Sequence, residues 1–244
     1  MLELKNISFL APDEQGKKEI LNDISIKFER GFIAITGPNG GGKSTLARII
    51  AGIQKPTCGK ILLDGEDITG LSVTDRAKKG ISFAFQQPVR FKGITVNDII
   101  RLAAGRDITI SEACDYLSLV GLCARDYINR EVNDSLSGGE LKRIEIASVL
   151  ARDTAVSIFD EPEAGIDLWS FSNLINVFEK MRDKSGGTII IISHQERILN
   201  IADKVAVISD GKLTEYGEKS AVLPKLLDAS YHACKVLKSS IKEA

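Results

Sequence analysis

Residues 37–44 read Gly-Pro-Asn-Gly-Gly-Gly-Lys-Ser, a G-x-x-x-x-G-K-[ST] pattern between an apolar run, Phe32 to Thr36, and a stretch of helical periodicity, Ser44 to Ile53. Glycines at this spacing let successive backbone N–H groups turn into one concavity, and a helix opening there adds the positive end of its dipole. Such a loop holds phosphate oxygens without side-chain bulk. Gly37, Pro38, Asn39, Gly40, Gly41, Gly42, Lys43, Ser44 and Thr45 are therefore candidate contacts for a bound triphosphate. Lys43 is predicted to reach the β- and γ-phosphates, and Ser44 to offer its hydroxyl to Mg²⁺.

Two further clusters have chemistry of their own. The apolar run Ala155 to Phe159 ends in Asp160-Glu161, so a buried strand delivers two carboxylates to the end of a sheet. Asp160 is placed to hold Mg²⁺ through water and Glu161 to polarise an attacking water as general base. Taken alone, an Asp-Glu pair after a strand is more often a helix cap or a solvated pair. Leu136-Ser137-Gly138-Gly139-Glu140 opens an amphipathic helix that runs through Arg152, and a serine with two glycines at a helix start forms a second anion-binding nest. As a lone motif it is simply an N-cap beside flexible glycines.

Leu136 to Glu140, standing between the phosphate loop and the Asp160-Glu161 strand, resembles the LSGGE signature of the ATP-binding-cassette (ABC) family, and the resemblance spans nearly the whole chain. It implies a Mg²⁺-dependent ATPase that closes as a homodimer on ATP, each nucleotide being completed by Ser137, Gly138 and Gly139 of the opposite subunit. By the same resemblance, Gln86 in FAFQQP is the glutamine that senses Mg²⁺ and takes part in catalysis, although the adjacent Gln87 leaves that register open by one residue. Gly165-Ile166-Asp167 matches the D-loop, which brings Asp167 to the nucleotide, and His194 after TIIIIS matches the switch histidine that contacts the γ-phosphate. The aromatic that stacks on adenine in many members has no counterpart here: Ala11 takes its place and Phe9 is the only ring nearby.

Within the family, three segments resemble the SufC-type ATPases of iron–sulfur cluster assembly: FAFQQPVRFKGITVNDII, SHQERILNIADKV, and EAGIDLW with its acidic Glu163. This resemblance implies a SufB/SufD-like scaffold as partner. Pro162 and the stretch PTCGKILLDG resemble instead the ATP-binding subunits of membrane transporters, whose partners are transmembrane subunits.

The elements that must position these residues follow from periodicity. LELKNISF, ILNDISIKF and KILLDG alternate and are punctuated by Gly and Asp-Gly, which predicts an antiparallel edge, whereas FIAIT, AVSIFD and TIIIIS read as buried parallel strands. From Pro88 to Arg152 the pattern is mostly helical. KVAVIS and KLTEYG flank Asp210-Gly211, a hairpin signal. The expected fold is an α/β P-loop NTPase cassette: a mixed sheet core with an antiparallel β edge (residues 1–87 and 153–225), an inserted helical subdomain (88–152) and a C-terminal helical tail (226–244) packed on the core.

Composition narrows the partners. The chain has 244 residues, 43% of them hydrophobic, which suffices for a sizeable core. With 32 Lys and Arg against 33 Asp and Glu there is no basic excess, so nucleic acid is not an expected partner. No apolar run reaches the length of a bilayer span and the N-terminus lacks a signal pattern, which predicts a cytoplasmic protein without direct membrane insertion. Four scattered cysteines and two histidines suggest neither a zinc site nor a disulfide framework.

Overall fold

The computed structural model describes residues 1–13, 16–152, 154–184 and 186–226. The chain begins with a long antiparallel hairpin, β1 (Leu2–Asp13) and β2 (Gly16–Phe28), followed by β3 (Gly31–Thr36), α1 (Lys43–Ala51), β4 (Cys58–Leu63) and β5 (Glu66–Asp67). Next come α2 (Val73–Lys78), β6 (Ile81–Ala84), α3 (Val96–Ala104), α4 (Ile110–Leu119), α5 (Ala124–Tyr127) and α6 (Gly138–Arg152). The chain returns through β7 (Val156–Asp160), α7 (Leu168–Lys184), β8 (Thr188–Ile192), α8 (Glu196–Ile201), β9 (Lys204–Ser209) and β10 (Lys212–Glu218), and residues 219–226 are helical.

The apolar runs become the parallel strands because they have no polar face to give to water. In the main sheet the order is β10-β9-β3-β8-β7-β6, all parallel except the edge strand β10. Alternation then divides the core: Phe32 and Ala34 of β3 point into one apolar cluster with α6, α7 and α8, while Ile33 and Ile35 point into another beneath α1 and the antiparallel sheet. That second sheet has the order β2-β1-β4-β5. The resulting core has a mixed sheet, an antiparallel layer and helices on the remaining face.

Three features differ from the sequence reading. The first hairpin runs farther than LELKNISF and ILNDISIKF, since Leu10 to Asp13 pair with Gly16 to Glu19. Pro12 is tolerated because β4 pairs with β1 only as far as Ser8, which leaves the missing N–H facing no strand. Helix α2 lies inside the N-terminal part of the core, where no helix was expected; its Ser72 hydroxyl accepts the Asp75 N–H as an N-cap. Helix α6 is not an amphipathic surface helix: it runs between α3, α4 and β6, and its buried residues, Lys142 among them, occupy more than one face. Of the expected tail 226–244, all beyond residue 226 lies outside the described residues.

Candidate nucleotide site

The phosphate loop, the two carboxylates and the histidine all follow the carboxyl ends of adjacent parallel strands, β3, β7 and β8, where α/β sheets place ligands. The loop leaves β3 with Gly37 at φ 133° and enters α1 through Gly42 at φ 102°, both in the region that favours glycine. A side chain at Gly37 would sit 2.0 Å from the Ile208 carbonyl of β9, so this backbone approach is closed to every other residue. Lys43 is buried, and its Nζ donates to the carbonyls of Gly37 and Pro38 at 2.8 Å each. Burial lowers its pKa, opposed by the charges of Glu161 and Asp160.

Asp160 is 1% exposed, and its Oδ1 accepts the Ser44 hydroxyl at 2.9 Å while Oδ2 is buried without a hydrogen-bond partner. Burial raises its pKa, the Ser44 hydrogen bond opposes this, and the neighbouring Glu161 adds to the rise. A buried carboxylate oxygen left without a donor, beside a hydroxyl, is a donor set that suits a hard divalent cation such as Mg²⁺.

Glu161 follows directly, held at φ 46°, a left-handed conformation that costs a non-glycine residue energy and recurs at functional sites. Its own N–H donates to Ile192 at the end of β8. Its carboxylate stands between two of the predicted site residues: Gln86 Nε2 donates to Oε2 at 2.6 Å, and His194 Nε2 lies 3.8 Å from Oε1. Of the two glutamines between which the sequence left the register open, it is Gln86 whose amide reaches Glu161. Burial lowers the pKa of His194, the Lys43 charge lowers it further, and Glu161 opposes both, so the imidazole is mostly neutral at pH 7.

A cleft of about 520 Å³ opens over the loop, lined by Asn39, Gly40, Gly42, Lys43, Ser44, Thr45, Gln86 and Glu161, together with Lys18 and Ile20 of β2. The last two were not expected. Lys18 pairs with Ala11 across the hairpin, so it shares the face on which a stacking ring was missing, and the extended pairing of GKKE was the signal that could have found it. Phe9 packs against the apolar cluster under α1 and is no substitute for that ring.

Four predicted contacts lie elsewhere. Ser137 and Gly138 are exposed at the start of α6 and, with Gly139, do not line the cleft of their own chain. Ser137 and Glu140 form a capping pair, Ser137 N–H to Glu140 Oε2 at 2.7 Å and Glu140 N–H to Ser137 Oγ at 3.3 Å. The loop of Asp167 abuts this turn: a side chain at Gly139 would meet the Gly165 carbonyl at 3.4 Å. Asp167 accepts the Ser170 N–H at 3.0 Å and so caps α7. Together these residues form a second, outward-facing cluster. Sequence reasoning also passed over Ser193, whose hydroxyl donates to the half-buried Glu163 at 2.5 Å and accepts the Gln195 N–H, fastening the histidine loop to the segment after Glu161.

Comparison with known proteins agrees with this geometry. The family profile described as ABC transporter matches residues 21–164. The chain is 39% identical over 217 residues to an uncharacterised ABC transporter ATP-binding protein of Methanocaldococcus jannaschii, covering 85% of this chain and 86% of that one. It is 34% identical over 230 residues to an energy-coupling factor transporter ATP-binding protein of Mycoplasma mobile, covering 91% and 82%. In fold it matches a dimeric ATP-binding cassette solved in a post-hydrolysis state with ADP and Pi, with a TM-score of 0.81 over 90% of this chain and 99% of that one at 22% identity. The chain therefore belongs to the ABC transporter family and is one of its ATP-hydrolysing cassettes.

Proposed function

We propose that this cassette is the ATP-binding subunit of a membrane transporter, in which two copies close over two nucleotides and hydrolysis reopens them. One observation carries the reading. The segment that begins at Phe85 has Gln86 on the catalytic carboxylate at one end, and at the other it lines an apolar groove of about 290 Å³ with Phe85, Val89, Phe91 and Leu102 exposed. Among the described residues no helix is long and apolar enough to cross a membrane, and in this reading the groove takes an apolar or amphipathic segment of a membrane-embedded partner. The names of the relatives, transporter ATP-binding proteins, support the same partner.

Within the site, the loop and Lys43 would hold the phosphates, and Ser44 with Asp160 would hold Mg²⁺, which would supply neutralisation of the phosphate charge. Lys43 exchanges its two carbonyl partners for phosphate oxygens. Glu161 takes the proton of the attacking water, Gln86 fixes its carboxylate, and neutral His194 donates a hydrogen bond toward the γ-phosphate. Ser137, Gly138, Gly139 and Asp167 face the nucleotide of the second copy. Closure then depends on the γ-phosphate, the group that both copies contact.

A second reading, in which the partner is a SufB/SufD-like scaffold for iron–sulfur assembly, rests on the segments around Gln86 and Arg197 and on Glu163, which is tied to Ser193 beside the switch histidine. ATPase stimulation separates the two. Stimulation by membrane subunits in vesicles, with solute moved on ATP addition, supports transport; stimulation by a soluble scaffold that then retains iron and sulfide supports assembly and overturns transport.

A further inference from the structure

Lys142 and Glu145 lie about one turn apart on α6, and neither contacts the nucleotide cleft. Lys142 is 1% exposed, a position a lysine almost never takes without partners. Its ammonium donates to the Phe85 carbonyl and stands 3.2 Å from Glu145 Oε2. Glu145 Oε1 in turn accepts the Phe85 N–H at 2.7 Å. The two side chains thus take both backbone polar groups of one residue, just past the end of β6 at Ala84, where no strand partner remains for it. The next residue is Gln86, with its amide 2.6 Å from Glu161. Because the Phe85 C=O and the Gln86 N–H share one rigid peptide plane, fixing the first orients the second.

We propose that Lys142 and Glu145 are positioning residues for ATP hydrolysis, a clip on the Phe85 backbone that sets Gln86 against Glu161. Burying an ion pair gives little net stability compared with apolar packing, so the return here is geometric. The clip also joins two parts of the machinery: the helix that starts with Ser137-Gly138-Gly139 holds the segment that carries Gln86. The inference rests on the reading of Gln86 and Glu161 as catalytic.

The test is a double-mutant cycle on the full chain, with steady-state ATP hydrolysis and binding of a fluorescent ATP analogue measured for Glu145→Leu, Lys142→Met, Gln86→Ala and their combinations with Gln86→Ala. Each clip variant is expected to lower kcat about tenfold while KM and analogue affinity stay within about twofold, because the phosphate loop is untouched. In the Gln86→Ala background the same substitutions should change kcat by less than about twofold, since a clip that acts through Gln86 has nothing left to position. Glu145→Gln keeps an acceptor for the Phe85 N–H and should retain more activity than Glu145→Leu; it serves as the variant of choice if the leucine form does not fold. Losses that multiply in the combined variants, or a fall in analogue affinity alongside kcat, would make the pair merely structural and overturn the proposal. Wild-type kcat in Gln86→Ala would sink the underlying reading of Gln86, whereas an impaired Gln86→Ala beside unimpaired clip variants would sink the clip alone.

Discussion

Asp160 concentrates the conflict between stability and function in one side chain. Its carboxyl is buried with one oxygen unpartnered, and its folded pKa lies above the ordinary carboxylate value. A raised folded pKa means that its contribution to stability is fully present below the unfolded value and is lost as pH rises through the folded one. Asp160→Asn removes that penalty. The nucleotide-free variant should melt several degrees higher at pH 7 and lose less stability from mildly acidic to neutral pH, the remaining slope coming from Glu163 and Glu145, whose pKa values are shifted the same way. It should also lose the stabilisation that Mg-ATP gives the wild type; thermal melts with and without Mg-ATP across pH check both, and an unchanged melting point would show the charge to be matched. With Glu161 as the proposed base, Glu161→Gln leaves the phosphate loop untouched, so hydrolysis should fall by roughly 10²–10⁴-fold with ATP still bound and closed dimers accumulating on size exclusion. Lys43→Ala should instead weaken ATP binding itself.

At the scale of elements, the phosphate loop is shaped from outside. The Ile208 backbone in β9 closes the space over Gly37, and Leu21 in β2 stands 2.6 Å from where a Gly42 side chain would begin. Gly37→Ala therefore forces the loop off β9 and should cost on the order of 3 kcal/mol while abolishing nucleotide binding. Chemical denaturation and equilibrium ATP binding read the two effects. The helical part of the molecule depends more on its own ends: Thr95 with Asp98 and Thr109 with Glu112 form complete capping boxes on α3 and α4. Thr95→Ala, far from the phosphates, should cost about 1 kcal/mol in the same denaturation experiment and leave ATP affinity unchanged.

For the whole molecule, the separation of the two clusters has a direct consequence. Lys43 and Glu161 line one cleft, with Asp160 hydrogen-bonded to its Ser44 and His194 3.8 Å from its Glu161, whereas Ser137, Gly138 and Asp167 are exposed elsewhere on the same chain. If a second copy supplies the outward cluster, Ser137→Arg and Lys43→Ala should each be inactive alone, and mixing them should restore one competent site per heterodimer. ATP hydrolysis by a purified heterodimer measures this, and a heterodimer as inactive as its parents would argue that the signature acts within its own chain.

By itself, the sequence determined what depends on local pattern. Phe32 to Thr36, Ala155 to Phe159 and Thr188 to Ile192 are almost wholly apolar and short, which reads as buried strands; Gly37 to Ser44 could be read as a phosphate loop because its glycines and helix start are contiguous. Asp210-Gly211 took the positive φ angles its hairpin requires. What tertiary structure decided are the contacts between residues far apart in the chain, which leave no periodic mark. The contact of Gln86 with Glu161 joins residues 75 positions apart, and Lys18 reached the cleft only through the hairpin's register with Ala11. Helix α6 carries a lysine and a glutamate in positions that a hydrophobic pattern reads as exposed. The lysine is buried and the glutamate mostly so because the Phe85 backbone, left without a strand partner past β6, supplies their hydrogen bonds.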